Sequence, residues 1–347
     1  MKIDNYLAAM LSIKNIFPGF GLCIALTALA EGLQRVEQAA FGAVWLEALV
    51  LAILLGLIVR TFWVPGPAWR AGISFSAKTL LEIAVMLLGA TVSASTVMAL
   101  GGRLLVGIVA AVVLSIIASY TICRVLKLHG KLALLVACGN SICGNSAIAA
   151  VAPVIGAEAH DIASSIAFTA VLGVAVVLLL PLLAPVLHLD LTQYGVLAGL
   201  TVYAVPQVMA ATLPIGALAN QVGTVVKLVR VLMLGPVVAA LAVGSARSAG
   251  QTRGLPPLKQ LLPWFIVGFL ALLTARGFGL VPLILLGPIK LTSALLTSVS
   301  MAALGLGVDV RSVASAGPRV TLAVSISLLV LGVISLFLIR FLAIGHA

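Results

Sequence analysis

Apolar residues run along this chain in blocks of about twenty, separated by short polar connections, and strict alternation is absent throughout. A block needs about 20 residues to cross about 30 Å of hydrocarbon as a helix. Eleven blocks reach or approach that length, at 17–34, 41–60, 75–97, 103–126, 131–155, 162–187, 191–213, 220–245, 260–276, 289–310 and 319–343. The pattern predicts an all-α, polytopic membrane protein of about 11 transmembrane helices, forming one membrane domain over residues 1–347. The longest polar stretch, Ser245 to Lys259, is the expected boundary between two halves.

Two blocks break their own pattern. Within 131–155, the run Gly139-Asn140-Ser141-Ile142-Cys143-Gly144-Asn145-Ser146-Ala147 sets two amides, two hydroxyls and two glycines at membrane depth. Unpaired polar groups there cost several kcal/mol, so such a run persists only against protein or a wet cavity. It predicts a broken helix at a binding site, with close helix packing of small residues as the alternative. Within 191–213, Pro206 removes a backbone donor and predicts unwinding near Tyr203, which makes Gln207 a candidate ligand contact. A broken helix either spans or turns back as a re-entrant loop, and the pattern leaves both open at these two blocks.

Composition excludes a soluble domain: 63% of residues are hydrophobic and 8% charged, with mean hydropathy +1.29, against about 25% charged in soluble proteins. The net charge of +11 is spread over short connections and forms no basic run, so it predicts membrane orientation and no nucleic-acid partner. With the N-terminus cytoplasmic, Lys2, Lys14, Arg60, Arg70, Lys78, Arg124, Lys127, Lys131, Arg247, Arg253, Lys259, Arg311 and Arg319 fall inside. Only Arg35, Arg103, Arg276, Lys290 and Arg340 fall outside, and the C-terminus is then external. Glu158 and Asp161 are expected in an outer loop. The cysteines show no metal or redox spacing and are expected to be small buried hydrophobes.

Shifting the chain by 216 residues aligns 54–126 with 270–342 without a gap, with 15 of 73 positions identical, including Arg60 with Arg276, Arg103 with Arg319 and Arg124 with Arg340. The partners are an odd number of segments apart, which is the pattern of an inverted-topology repeat, roughly 17–126 and 232–342, with core helices 131–213 linking them.

Ionisable residues inside the spans are the remaining signal. Lys227 and Arg230 share a helix face three residues apart and are candidate anion ligands, with snorkelling or pairing to an acid such as Glu82 as the structural alternative. Asp309 is a candidate coupling or orienting residue, and Glu82 a candidate partner. A half-helix beginning near Gly144 presents free N–H groups and a positive dipole end, a backbone site for oxyanions. The candidate substrate site is therefore Asn140, Ser141, Cys143, Gly144, Asn145, Ser146, Tyr203, Gln207, Lys227 and Arg230.

The run Ser141 to Ala147 with Ala152-Pro153-Val154-Ile155 resembles the YeiH-type sulfate exporter family of bacterial membrane proteins. So do Pro206-Gln207-Val208-Met209-Ala210-Ala211, Lys227 to Leu234 and Met301 to Leu306. The resemblance implies an inverted-repeat secondary transporter with a core of crossed, broken helices, in the bacterial inner membrane. The family usually carries a His-Glu pair where this chain has Tyr203 and Ala204, so no titratable pair is available there for proton coupling. The expected function is alternating-access transport, as an exporter in the family's sense, of a small anion such as sulfate or a sulfonate or organic anion; a channel or non-transporting membrane scaffold is the alternative. The expected partners are a small anionic substrate and the lipid bilayer, with a homodimer possible. No enzyme, cofactor or metal is expected: no phosphate-binding loop or paired catalytic motif occurs, and His129, His160, His188 and His346 fall in connections or at the terminus.

Overall fold

A computed structural model describes residues 2–41, 47–92, 101–249, 264–309, 318–342 and 344, with side chains from residue 16 onward and not for 41 or 245–249. All regular structure among them is helical. Among the described residues, seven helices are long and apolar enough to cross a membrane, and shorter apolar helices accompany them. The chain forms two compact units, one of residues 1–91 with 281–309 and one of residues 92–280 with 310–347.

The first unit contains α1 (Lys2–Phe41), α2 (Ala48–Phe62), α3 (Pro67–Phe75), α4 (Leu81–Leu88) and, from later in the chain, Leu283–Gly307. Helices α3 and α4 are one continuous rod, joined through a π-helical turn at Ser76–Leu80. The block expected at 75–97 therefore begins earlier, at Pro67, because proline at the first helical position costs no hydrogen bond and pre-sets the backbone. Arg70, expected in a connection, lies within this rod. Arg35 is likewise helical.

Glycine sets the packing of this unit. A Cβ on Gly56 would meet Leu306 N at 2.9 Å, and one on Gly305 would meet Leu57 N at 2.9 Å, so α2 and Leu283–Gly307 touch backbone to backbone. Gly19 and Gly72 bring α1 and α3 together in the same way. Without a hydrophobic difference between lipid and side chain, such close approach is what holds membrane helices together. At its edge Arg60 donates to Asp309 at 3.3 Å.

The second unit contains α5 (Gly101–Val125), α6 (Gly130–Cys138), α7 (Asn145–Ile155), α8 (Ala159–Leu187), α9 (Leu191–Thr201), α10 (Val205–Thr212), α11 (Ala217–Leu232), α12 (Leu234–Ala249), α13 (Trp264–Gly277) and, after the first unit's α14 (Leu283–Gly307), α15 (Pro318–Phe341). Residues 245–249, expected to begin a connection, belong to α12. Arg253, Lys259 and Arg311 lie outside the described residues.

Both polar blocks turn back on themselves. The chain runs through α6 and a π-helical turn at Gly139–Cys143, reverses at Gly144 (φ 66°, ψ −124°) and returns as α7. The ends of this segment lie side by side: Lys131 Nζ donates to Gly156 O at 2.8 Å, and His129 Nε2 lies 2.8 Å from Asp161 Oδ2. Asp161, expected across the membrane from His129, is therefore at the same end. The seventh block behaves alike. α9 unwinds at Val202–Ala204 and α10 returns, so that Tyr194 near the start donates to Ala211 O near the finish at 2.8 Å. An unbroken helix would separate those residues by about 25 Å at 1.5 Å per residue. These are two helical hairpins. The 29 residues of α8 join their bases and are long enough to span the bilayer.

Candidate functional site

The hairpin tips meet. Tyr203, in the unwound tip of the second hairpin, donates its hydroxyl to Asn140 Oδ1 in the first. A Cβ on Gly144 would sit 3.3 Å from Tyr203 Cβ. Gly144 is thus fixed twice over, by a positive φ that side chains rarely adopt and by the neighbour pressed against it.

Breaking a helix leaves its last carbonyls without N–H partners, and here the chain supplies those donors from α11. Gly195 and Gly199 let α9 lie against α11 at Ala219 and Gly223. α11 runs beside the second hairpin and delivers Lys227 and Arg230 to the junction. Lys227 Nζ donates to Ile142 O at 2.6 Å. Arg230 Nε donates to Ser141 O at 2.7 Å, and its terminal nitrogens donate to Asn140 O, to Val202 O at 3.1 Å and to Gly199 O at 3.5 Å. The pair therefore caps the C-terminal ends of α6 with its π turn and of α9, where a helix dipole favours positive charge.

Both cations are fully buried, at 0% exposure. Among the described residues no carboxylate forms an ion pair with either. Glu82 and Asp309, read as candidate partner and coupling residues, belong to the other unit, where Asp309 meets Arg60.

The candidate residues separate by what their side chains do. Asn140 is satisfied at both ends, accepting from Tyr203 and donating from Nδ2 to Val324 O at 3.3 Å. Gln207 accepts from Ala204 N at 3.2 Å and lies against Gly173, whose lack of a side chain makes room for it. Ser141 is buried, and its hydroxyl has no hydrogen-bond partner among the described residues. Asn145 and Ser146, the first residues of α7, are exposed; Cys143 is partly exposed and the other cysteines are buried. Among the described residues the amides of Asn145 and Ser146 have no hydrogen-bond acceptor. His129, His160 and His188 lie at helix ends, and none bonds to Ser141 or Cys143.

One participant was missed by the sequence reading. Thr169 of α8 donates to Asn145 Oδ1 at 2.6 Å, a separation short for N–H···O and ordinary for O–H···O. It ties the Asn145 carbonyl oxygen to α8 and leaves the NH2 group out of that bond. A lone threonine in an apolar helix carries no sequence signal for this role.

The conserved hypothetical protein 698 family model matches residues 18–324. The chain belongs to this family. It is similar to a UPF0324 membrane protein of Brucella melitensis, 59% identical over 96% of this chain and 93% of the relative. A UPF0324 membrane protein of Bradyrhizobium diazoefficiens is 54% identical over 96% and 95%, and one of Bacillus cereus 34% identical over 85% and 87%. These names place the relatives in a membrane and specify no solute, so the sulfate assignment implied by resemblance stays a proposal. No solved structure matches.

Proposed function

We propose that this protein is a secondary carrier for a small anion, bound at the junction of the two hairpin tips. One observation carries the reading: two fully buried basic side chains, Lys227 and Arg230, with no carboxylate paired to them among the described residues. Buried charges are ordinarily paired. The junction holds the C-terminal ends of α6 and α9 and the N-terminal ends of α7 and α10, whose dipoles nearly cancel, so the two formal charges remain. The backbone amides of Asn145 and Ser146, without acceptors among the described residues, the Asn145 NH2 group and the Ser146 hydroxyl are donors suited to an oxyanion. Arg230 gives its hydrogen bonds to carbonyls and acts on the anion through charge. Lys227 keeps donors beyond its bond to Ile142 O.

Sulfate or a sulfonate is the first solute to test, in the cell membrane of a bacterium. Turning two of the eleven expected blocks into re-entrant hairpins preserves the parity, so the Lys and Arg asymmetry still favours an internal N-terminus and an external C-terminus. The repeat is supported by packing inside each unit: α4 lies against its repeat partner α14, and α5 against α15.

The test is a thermal-shift screen of the purified protein against chloride, sulfate, sulfonates and carboxylates, followed by counterflow in proteoliposomes. An anion at 100 times its dissociation constant stabilises by about 2.7 kcal/mol. Saturable stabilisation and counterflow by the same anion are expected. Indifference to every anion, or conductance without counterflow, contradicts the reading.

A further inference from the structure

Five backbone carbonyls, of Asn140, Ser141, Ile142, Gly199 and Val202, converge on Lys227 and Arg230 from two unwound helix ends. Converging carbonyls at broken helix ends are the ligand set with which secondary transporters hold a free coupling cation. Here that set is occupied by side chains. The geometry points to a tethered replacement: Lys227 and Arg230 fill a carbonyl cation site at the hairpin junction, so the protein needs no free alkali cation, and removing the Lys227 ammonium opens a site for one.

The chemistry supports the substitution. An ammonium group is a compact point charge that donates to carbonyl oxygens, and Nζ at 2.6 Å from Ile142 O sits at close hydrogen-bonding range. Arg230 takes the carbonyls of both tips at once, which a planar fork with five donors can do. Lys227 meets one tip only, through Ile142. Losing it leaves the bridge between hairpins in place and vacates one lobe of the carbonyl cluster. Lys227 is fully buried, so the vacated lobe stays inside the protein.

The inference stands on the carbonyl geometry and not on anion transport, and the experiment keeps the two apart by holding chloride as the anion in every arm. Melting temperature is measured for purified protein in choline, sodium, potassium, ammonium and methylammonium chloride at equal ionic strength. The native protein is expected to melt within a degree in all five and to bind no radioactive sodium at equilibrium. Lys227→Ala is expected to melt lower in choline and to recover by several degrees, saturably, in ammonium or sodium. Lys227→Ser, which leaves the same space lined by a hydroxyl, should behave alike. Lys227→Met, which fills the space with an apolar chain, should not respond. Stoichiometric sodium binding by the native protein overturns the inference. So does indifference of both small variants to every cation, or failure to recover either one folded in ammonium.

Discussion

Glycine packs helices in both units, and at Gly144 of the second it does the opposite work. In the first, Gly56 and Gly305 remove side chains so that α2 and α14 meet backbone to backbone, and Gly19 and Gly72 do the same for α1 and α3. In the second, Gly144 removes a side chain so that a helix can stop, reverse and expose its carbonyls and amides. The first arrangement hides polar backbone inside unbroken helices; the second frees it in apolar surroundings and then has to satisfy it with Lys227, Arg230 and Tyr203. A protein built only for packing has no need of the second. The contrast localises the candidate chemistry: substitutions in the first unit should act on folding, and those at the hairpin tips should separate folding from ligand binding.

The largest effect belongs to Gly305→Ala. The new Cβ lands on Ile53 O and within 2.9 Å of Leu57 N, backbone atoms that cannot rotate away. Overpacking of this kind costs about 3 kcal/mol or more, and folded yield by size-exclusion chromatography should collapse. Arg230→Met comes next: it strands four carbonyls and leaves Lys227 alone, a loss on the scale of about 3–5 kcal/mol for breaking a buried charged network. Thermal unfolding in detergent should show a large drop. Gly144→Ala should cost about 1–3 kcal/mol of backbone strain, with a protein that folds and responds poorly to anions.

Asn145→Ala sharpens the comparison in the other direction. Its side chain is exposed and held only through Thr169, so stability should change by about 1 kcal/mol or less. Anion affinity should fall roughly tenfold, equivalent to about 1.4 kcal/mol. The smallest effect is at the base of the first hairpin. Asp161→Asn weakens the contact to a largely exposed His129 and should cost about 1 kcal/mol, while cysteines placed at Lys131 and Gly156 should both be labelled by an impermeant reagent from one side of the membrane.

Much of this was legible in the sequence, and the reasons differ by element. The all-helical membrane class followed from apolar block length. Both breaks were marked by residues that a helix in lipid would otherwise exclude: Gly144 with its flanking amides, and Pro206 beyond Tyr203. The direction of the chain after each break was not legible, because a glycine at positive φ and a proline permit a kink or a reversal equally. The deciding contacts, Lys131 to Gly156 and Tyr194 to Ala211, join residues 25 and 17 positions apart. Shared helical spacing placed Lys227 and Arg230 together, but their carbonyl partners lie 85 to 90 and 28 to 31 positions away and left no pattern to read. The start of α3 was mislocated because Arg70 read as a connection residue, although an amphipathic start at Pro67 carries it inside the helix.

Alkylation of Cys143 tests the central claim most directly. It is the last residue of the π turn, next to Gly144, and is partly exposed, whereas Cys23, Cys123 and Cys138 are buried, so the native protein reports from this one position. A small maleimide should modify Cys143 in membranes, and a saturating anion identified by thermal shift should slow that reaction at least tenfold in the native protein and much less in Asn145→Ala. A Cys143 that reacts at the same rate with and without the stabilising anion would contradict an anion site at the hairpin tips.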